Sequence, residues 1–146
     1  MTRKWRAVAA LLAVAAIIGV GTAAGSASTG PATIRITDRQ VLDKQLGDGV
    51  GAREIVRTVL YKPGTRSIGS SALLCTYVAP RLRSCTGTFS LPRGSIVVSG
   101  LLSTRLLYEL AIVGGTGLYD NARGTFTNTV LRLRPRRDLL LFRLTG

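Results

Sequence analysis

Apolar and polar residues alternate along much of the chain. In LLYELAIV (106–113), Leu106, Tyr108, Leu110 and Ile112 share one face, opposite Glu109 and Ala111, the two-residue period of a β-strand. In EIVRTVLY (54–61), Val56, Thr58 and Leu60 alternate with Ile55, Arg57 and Val59, and both faces are mixed. Runs rich in Thr, Val, Ile, Tyr and Phe, divided by Gly, Pro, Asp and Asn, predict eight strands. They lie near residues 32–40, 53–61, 67–78, 83–91, 95–102, 106–113, 122–133 and 138–144. Lys62-Pro63-Gly64-Thr65, Pro92-Arg93-Gly94 and Pro135-Arg136-Arg137-Asp138 carry turn chemistry between them, and residues 43–52, DKQLGDGVGA, form a looser loop.

Strands with two mixed faces cannot form a sheet that is wholly wet on one side. A small closed antiparallel barrel answers this: one face fills the interior, and closure removes exposed edges. About 15 residues per strand and turn suits antiparallel connections. A two-sheet sandwich is the alternative that the pattern leaves open.

The N-terminus follows a different pattern. Arg3, Lys4 and Arg6 precede the apolar run AVAALLAVAAIIGV (7–20) and the small-residue segment GTAAGSAS, the layout of a secretory signal peptide. Cleavage is expected after Ala24 or Ala27. The run is short for a spanning helix, which needs roughly 20 residues. The expected organisation is a signal peptide over 1–27, an N-terminal strand and lead-in over 28–45, and a barrel over 46–146. The exported protein is then secreted.

The chain of 146 residues carries a net charge of +13; removing residues 1–27 takes away three of its 20 basic residues and none of its seven acidic ones, leaving +10. Such a charge favours anionic cell-envelope surfaces. Only Arg132, Arg134, Arg136 and Arg137 cluster, with few aromatics among them, so nucleic acid is a poor candidate partner. Cys75 and Cys85 lie symmetrically about Pro80. In an exported protein one disulfide across a hairpin is the default, and closing so short a loop is worth roughly 2.5–3 kcal/mol; a free pocket thiol is the alternative. Histidine is absent, which removes Ser-His and Cys-His catalytic arrangements.

The glycine cluster of AIVGGTGLYDNARG (111–124) raises the question of phosphate binding. A dinucleotide fingerprint starting at Gly115 would need glycine at position 120, where the chain has Asp120, and a helix after it, where a strand follows. No Gly-Lys-Ser/Thr closes the run as in a P-loop. Gly114, Gly115, Gly117 and Gly124 are therefore expected to turn the chain at a corner.

In context, GGTG-x-Tyr-x-x-Ala-Arg-Gly resembles the signature of the dirigent and allene oxide cyclase barrel superfamily, whose bacterial dirigent-like members carry IxGGTGxYxxARG. Leu46-Gly47-Asp48, Leu60-Tyr61, CTGTFSLPRGSIVVSGLL (85–102) and the closing LRPRRDLLLFRLTG are similar to further parts of the pattern, over about residues 46–146. The resemblance implies an eight-stranded antiparallel β-barrel, often trimeric, that needs no cofactor and holds no metal. It implies an interior that takes a small apolar or phenolic molecule and steers its cyclisation or coupling by restricting its conformers.

By this resemblance Arg123 matches a motif arginine that steadies an oxyanion in some dirigent proteins; a structural contact to a loop carbonyl or Asp120 is the alternative. Leu118 stands where several dirigent proteins have aspartate. Arg35 and Thr58 fall near the cyclases' glutamate and asparagine, so allene oxide cyclase chemistry itself is not expected, and Cys75 falls at their pocket cysteine. Asp48, Tyr108 and Tyr119 are the other candidate ligand-facing residues, while Asp38, Asp43, Glu54 and Asp138 are expected on solvated turns or faces. A carrier barrel without turnover, or a basic envelope protein with a solid barrel, are the competing functions.

Overall fold

The computed structural model describes residues 31–103 and 105–145. The segment expected to be a signal peptide lies outside them. Eight strands follow one another: β1 (Ala32–Leu46), β2 (Arg53–Tyr61), β3 (Ser67–Ala79), β4 (Leu82–Leu91), β5 (Gly94–Leu102), β6 (Leu107–Gly115), β7 (Gly124–Leu133) and β8 (Arg136–Leu144). Each pairs antiparallel with the next, and β1 pairs with β8 from Ala32↔Leu144 to Thr37↔Leu139, closing the barrel. A single sheet that closes on itself excludes the sandwich. The expected boundary at residue 46 is also corrected: β1 is one of the staves, so the barrel begins at Ala32. A bulge between Gln40 and Leu42 carries β1 on to Leu46, and the loop expected over 43–52 shortens to 47–52.

Closure explains the mixed faces. On β2 the inner set is Glu54, Val56, Thr58 and Leu60, and Arg53, Ile55, Arg57 and Val59 face outward with partial or full exposure. The interior centres on three phenylalanines. Phe89 lies 4.8 Å from Phe126 and 5.0 Å from Phe142, and Phe126 lies 4.9 Å from Phe142, centroid to centroid. These are edge and tilted arrangements that aromatic quadrupoles favour. Cys75 and Cys85 sit directly opposite one another on β3 and β4, both buried, and form the disulfide.

Meander topology puts the seven connections at the two ends of the wall alternately. The β1–β2, β3–β4, β5–β6 and β7–β8 connections lie at one end. The β2–β3, β4–β5 and β6–β7 connections lie at the other, with the first and last described residues. The glycine cluster belongs to this second end and is structural. The Thr116 N–H donates to Ser95 O (2.8 Å) and the Leu118 N–H to Arg93 O (2.8 Å), which staples the β6–β7 corner onto the β4–β5 turn. A Cβ at Gly115 would come within 2.2 Å of Tyr119 O and 2.6 Å of Ser95 O. Gly117 has φ +63°, and a Cβ there would meet Arg93 O at 2.5 Å.

A polar cavity at one end of the barrel

Going from the phenylalanines toward the four-connection end, the inward positions turn polar. On β1 Asp38 follows Ile36, on β8 Asp138 precedes Leu140, on β2 Glu54 precedes Val56, and all three acids are buried. A cavity of about 50 Å³ opens here, floored by Phe89, Phe126 and Leu140, walled by Val56, Leu73 and Leu102, and reaching Gln40, Asp43, Arg105 and Arg136 at the mouth. By volume it has room for about four waters, or for one small end of a larger guest.

Two charge clusters line it. In the first, the Asp138 N–H donates to Asp38 Oδ1 (3.0 Å), and Asn128 Nδ2 donates to Asp138 Oδ2 (3.1 Å). Arg136 pairs with Asp138 (Nη2–Oδ2 3.1 Å), its Nε lies 3.2 Å from each carboxylate oxygen, and its Nη2 also donates to Arg105 O (2.9 Å). Thr58 donates to Asp38 and shares a 2.8 Å hydroxyl contact with Ser71. In the second cluster, Glu54 pairs with Arg83 and with Arg105 (3.1 Å). Arg105 also donates to the Tyr77 hydroxyl (2.7 Å), and the Arg83 guanidinium lies over the Tyr77 ring at 5.8 Å. Among the described residues no buried side-chain polar atom lacks a partner.

Burial pushes the Asp38 carboxyl up to about 7, and the nearby Asp138 adds to the rise; the hydrogen bonds it accepts oppose it. Asp38 thus holds or releases a proton near neutrality. Burial also raises the Tyr108 phenol, so Tyr108 offers its hydroxyl to the cavity as a donor. Buried ion pairs seldom improve stability over apolar packing. A linked set of them around a cavity, with a carboxyl whose proton is exchangeable at neutral pH, marks a candidate site.

Of the residues singled out in the sequence, Tyr108 lines this cavity, its ring 6.2 Å from that of Phe126. The others stand apart. Arg123 is exposed at the opposite end, in the glycine corner, where its Nη1 donates to Ala122 O (2.9 Å). Tyr119 is buried in the same corner, and Asp48 is exposed in the β1–β2 loop. Conversely, Asp38, Glu54 and Asp138, expected on solvated faces, are inside. Their strands carry the signal: Ile34, Ile36 and Asp38 share a parity, as do Glu54, Val56 and Leu60, and Asp138, Leu140 and Phe142. Period-two alternation applied to the acids themselves places them on the inner face.

The closed eight-stranded barrel is similar in fold to solved structures of a demethylase, a Diels-Alderase and a dirigent protein. A pyocyanin demethylase superposes with a TM-score of 0.67 at 23% identity, covering 78% of this chain and 100% of that one. An exo-specific intermolecular Diels-Alderase gives 0.67 at 15% identity over 81% and 100%. A pterocarpan synthase dirigent protein gives 0.61 at 12% over 78% and 87%. No protein-family model matches the sequence, and no curated protein sequence does.

Proposed function

We propose that this is a secreted, dirigent-like barrel that takes a small apolar or phenolic molecule into the polar-mouthed cavity and steers its cyclisation or coupling. The observation that carries this reading is the cavity's division. Phe89, Phe126 and Leu140 offer an apolar floor to a ring or chain, while Asp38, Asn128 and Tyr108 offer polar groups in the same lining. A guest held by both has few conformers left, and restriction of conformers is itself a rate and stereochemical effect. Asp38 supplies the proton traffic: protonated, it donates to a developing oxyanion; ionised, it accepts a proton from a phenol or an acidic C–H. The superposed barrels include an enzyme named as a Diels-Alderase and a dirigent protein named as a pterocarpan synthase, which supports a guest-steering role.

Association into a trimer is part of this reading. The strands β3, β4 and β5 carry no outward charged side chain, because their one charged residue, Arg83, is turned inward and buried. On a chain of net charge +13, this wall is where copies meet with least repulsion.

Native mass spectrometry of the exported protein, incubated with an extract of its host's culture, tests the reading. The expected result is a trimer with a discrete added mass that disappears in Leu140→Trp, which fills the cavity. Asp38→Asn is expected to keep the added mass and lose product. A carrier barrel predicts bound mass with no product from the unaltered protein. An empty wild-type barrel in every extract overturns both.

A further inference from the structure

We propose that the cavity-bearing end of the barrel docks on an anionic phospholipid membrane, so that a guest passes between bilayer and cavity without crossing water. The distribution of exposed apolar side chains carries the proposal. Among the described residues, the large exposed hydrophobics lie toward this end, with only Leu74 and Val113 elsewhere. Val41 and Leu46 sit on the β1 extension, Val50 in the β1–β2 loop, Leu106 in the β5–β6 loop, and Leu131 and Leu133 on the β7–β8 hairpin. Val50, Leu106, Leu131 and Leu133 are 67%, 61%, 58% and 65% exposed. A rim with such side chains on three separate connections is unfavourable in water and favourable at the boundary between headgroups and acyl chains.

Charge selects which membrane. Lys44, Arg53, Arg81, Arg132, Arg134 and Arg137 are exposed at the same end, against two exposed acids there, Asp43 and Asp48. In the β7–β8 hairpin the two residue types interleave as Leu131-Arg132-Leu133-Arg134, so apolar side chains can immerse while guanidinium groups reach phosphate. The opposite end also has exposed cations, Lys62, Arg66, Arg93 and Arg123, but no large exposed hydrophobic on its connections. A soluble polyanion would find cations at both ends; only a bilayer distinguishes them. A second copy meeting rim to rim would bring like charges together. The contact is superficial and not spanning, because Arg35, Arg39, Arg57 and Arg143 stand exposed on the outer wall, where a lipid-facing barrel cannot carry them. The cavity's mouth residues Gln40, Asp43, Arg105 and Arg136 lie within this rim.

Docking stands on the rim alone; direct passage of the guest rests on the ligand-binding reading. The test places a reporter at the rim. Leu133→Trp and, at the far end, Thr65→Trp are each made in the exported protein, residues 28–146, which no longer carries Trp5, the single native tryptophan. Vesicles of phosphatidylcholine with and without phosphatidylglycerol bearing brominated acyl chains are the probe. The expected result is a blue shift and bromine quenching of Leu133→Trp with phosphatidylglycerol vesicles only, and neither change for Thr65→Trp. Arg132→Gln with Arg134→Gln is expected to weaken vesicle partitioning about thirtyfold. A chain that sediments with vesicles while Leu133→Trp stays in water, or one that binds soluble polyphosphate and leaves vesicles alone, overturns the proposal. No guest is added, so the result is independent of the mass-spectrometric test of ligand binding.

Discussion

The same eight strands build two unlike ends. At the closed end they bring together Ile36, Leu60, Ile96, Ile112 and Leu144, capped by the glycine corner stapled to the β4–β5 turn. Further along the same inner face, toward the other end, they bring together Asp38, Asp138, Glu54 and Arg83. The first set is what a barrel needs in order to fold. The second adds charge where apolar packing would serve stability as well, and it satisfies that charge with arginines, Asn128 and a backbone N–H. Stability is therefore concentrated at one end and adjustable chemistry at the other, a division in which the strands' rigidity holds the reactive groups in place.

Substitutions can break this contrast, beginning with the largest effect. Phe126→Ala removes the ring shared by the aromatic trio and the cavity floor, and is expected to cost about 3–5 kcal/mol in urea unfolding. A loss below about 1 kcal/mol would mean the trio is not the centre of the core.

Asp38→Asn should act in the opposite direction and depend on pH. Because Asp38 is raised in the folded state to about 7 from 3.8, its contribution to stability is fully present below pH 4 and is lost as pH rises through 7. The variant escapes that loss, so it should gain up to roughly 4 kcal/mol over the wild type at pH 9, and little at pH 4. Chemical unfolding at the two pH values checks this; parallel pH profiles would show that Asp38 does not titrate as its burial requires.

Replacing Cys75 and Cys85 together by alanine opens the cross-strand link and should cost about 2.5–3 kcal/mol, read as a lowered urea midpoint. Since Cys75 also lines the cavity, the same variant sharpens the contrast if ligand binding survives at low denaturant. Arg123→Leu is expected to matter least: its contact is one part-buried hydrogen bond to Ala122 O, distant from the cavity, so stability should move by less than about 1 kcal/mol and product formation not at all. Loss of product with the fold intact would return Arg123 to the chemistry.

The strand pattern, the cysteine spacing and the glycine run fixed much of this molecule before any contact was known, because each is a local constraint. Alternation with period two defines a stave wherever its neighbours lie. Cys75 and Cys85 face each other because the hairpin between them is short. Gly115 and Gly117 leave no room for a side chain because the chain turns sharply there. Three things depended on tertiary structure. Closure by β1 on β8 joins the two ends of the described chain, and no local signal specifies it. The carboxylate pair joins Asp38 to Asp138, separated by 100 residues, and the effect of one on the other exists only once both are removed from water. The rim of Val50, Leu106, Leu131 and Leu133 forms because alternate connections of a meander lie at the same end, which turns scattered apolar residues into one surface.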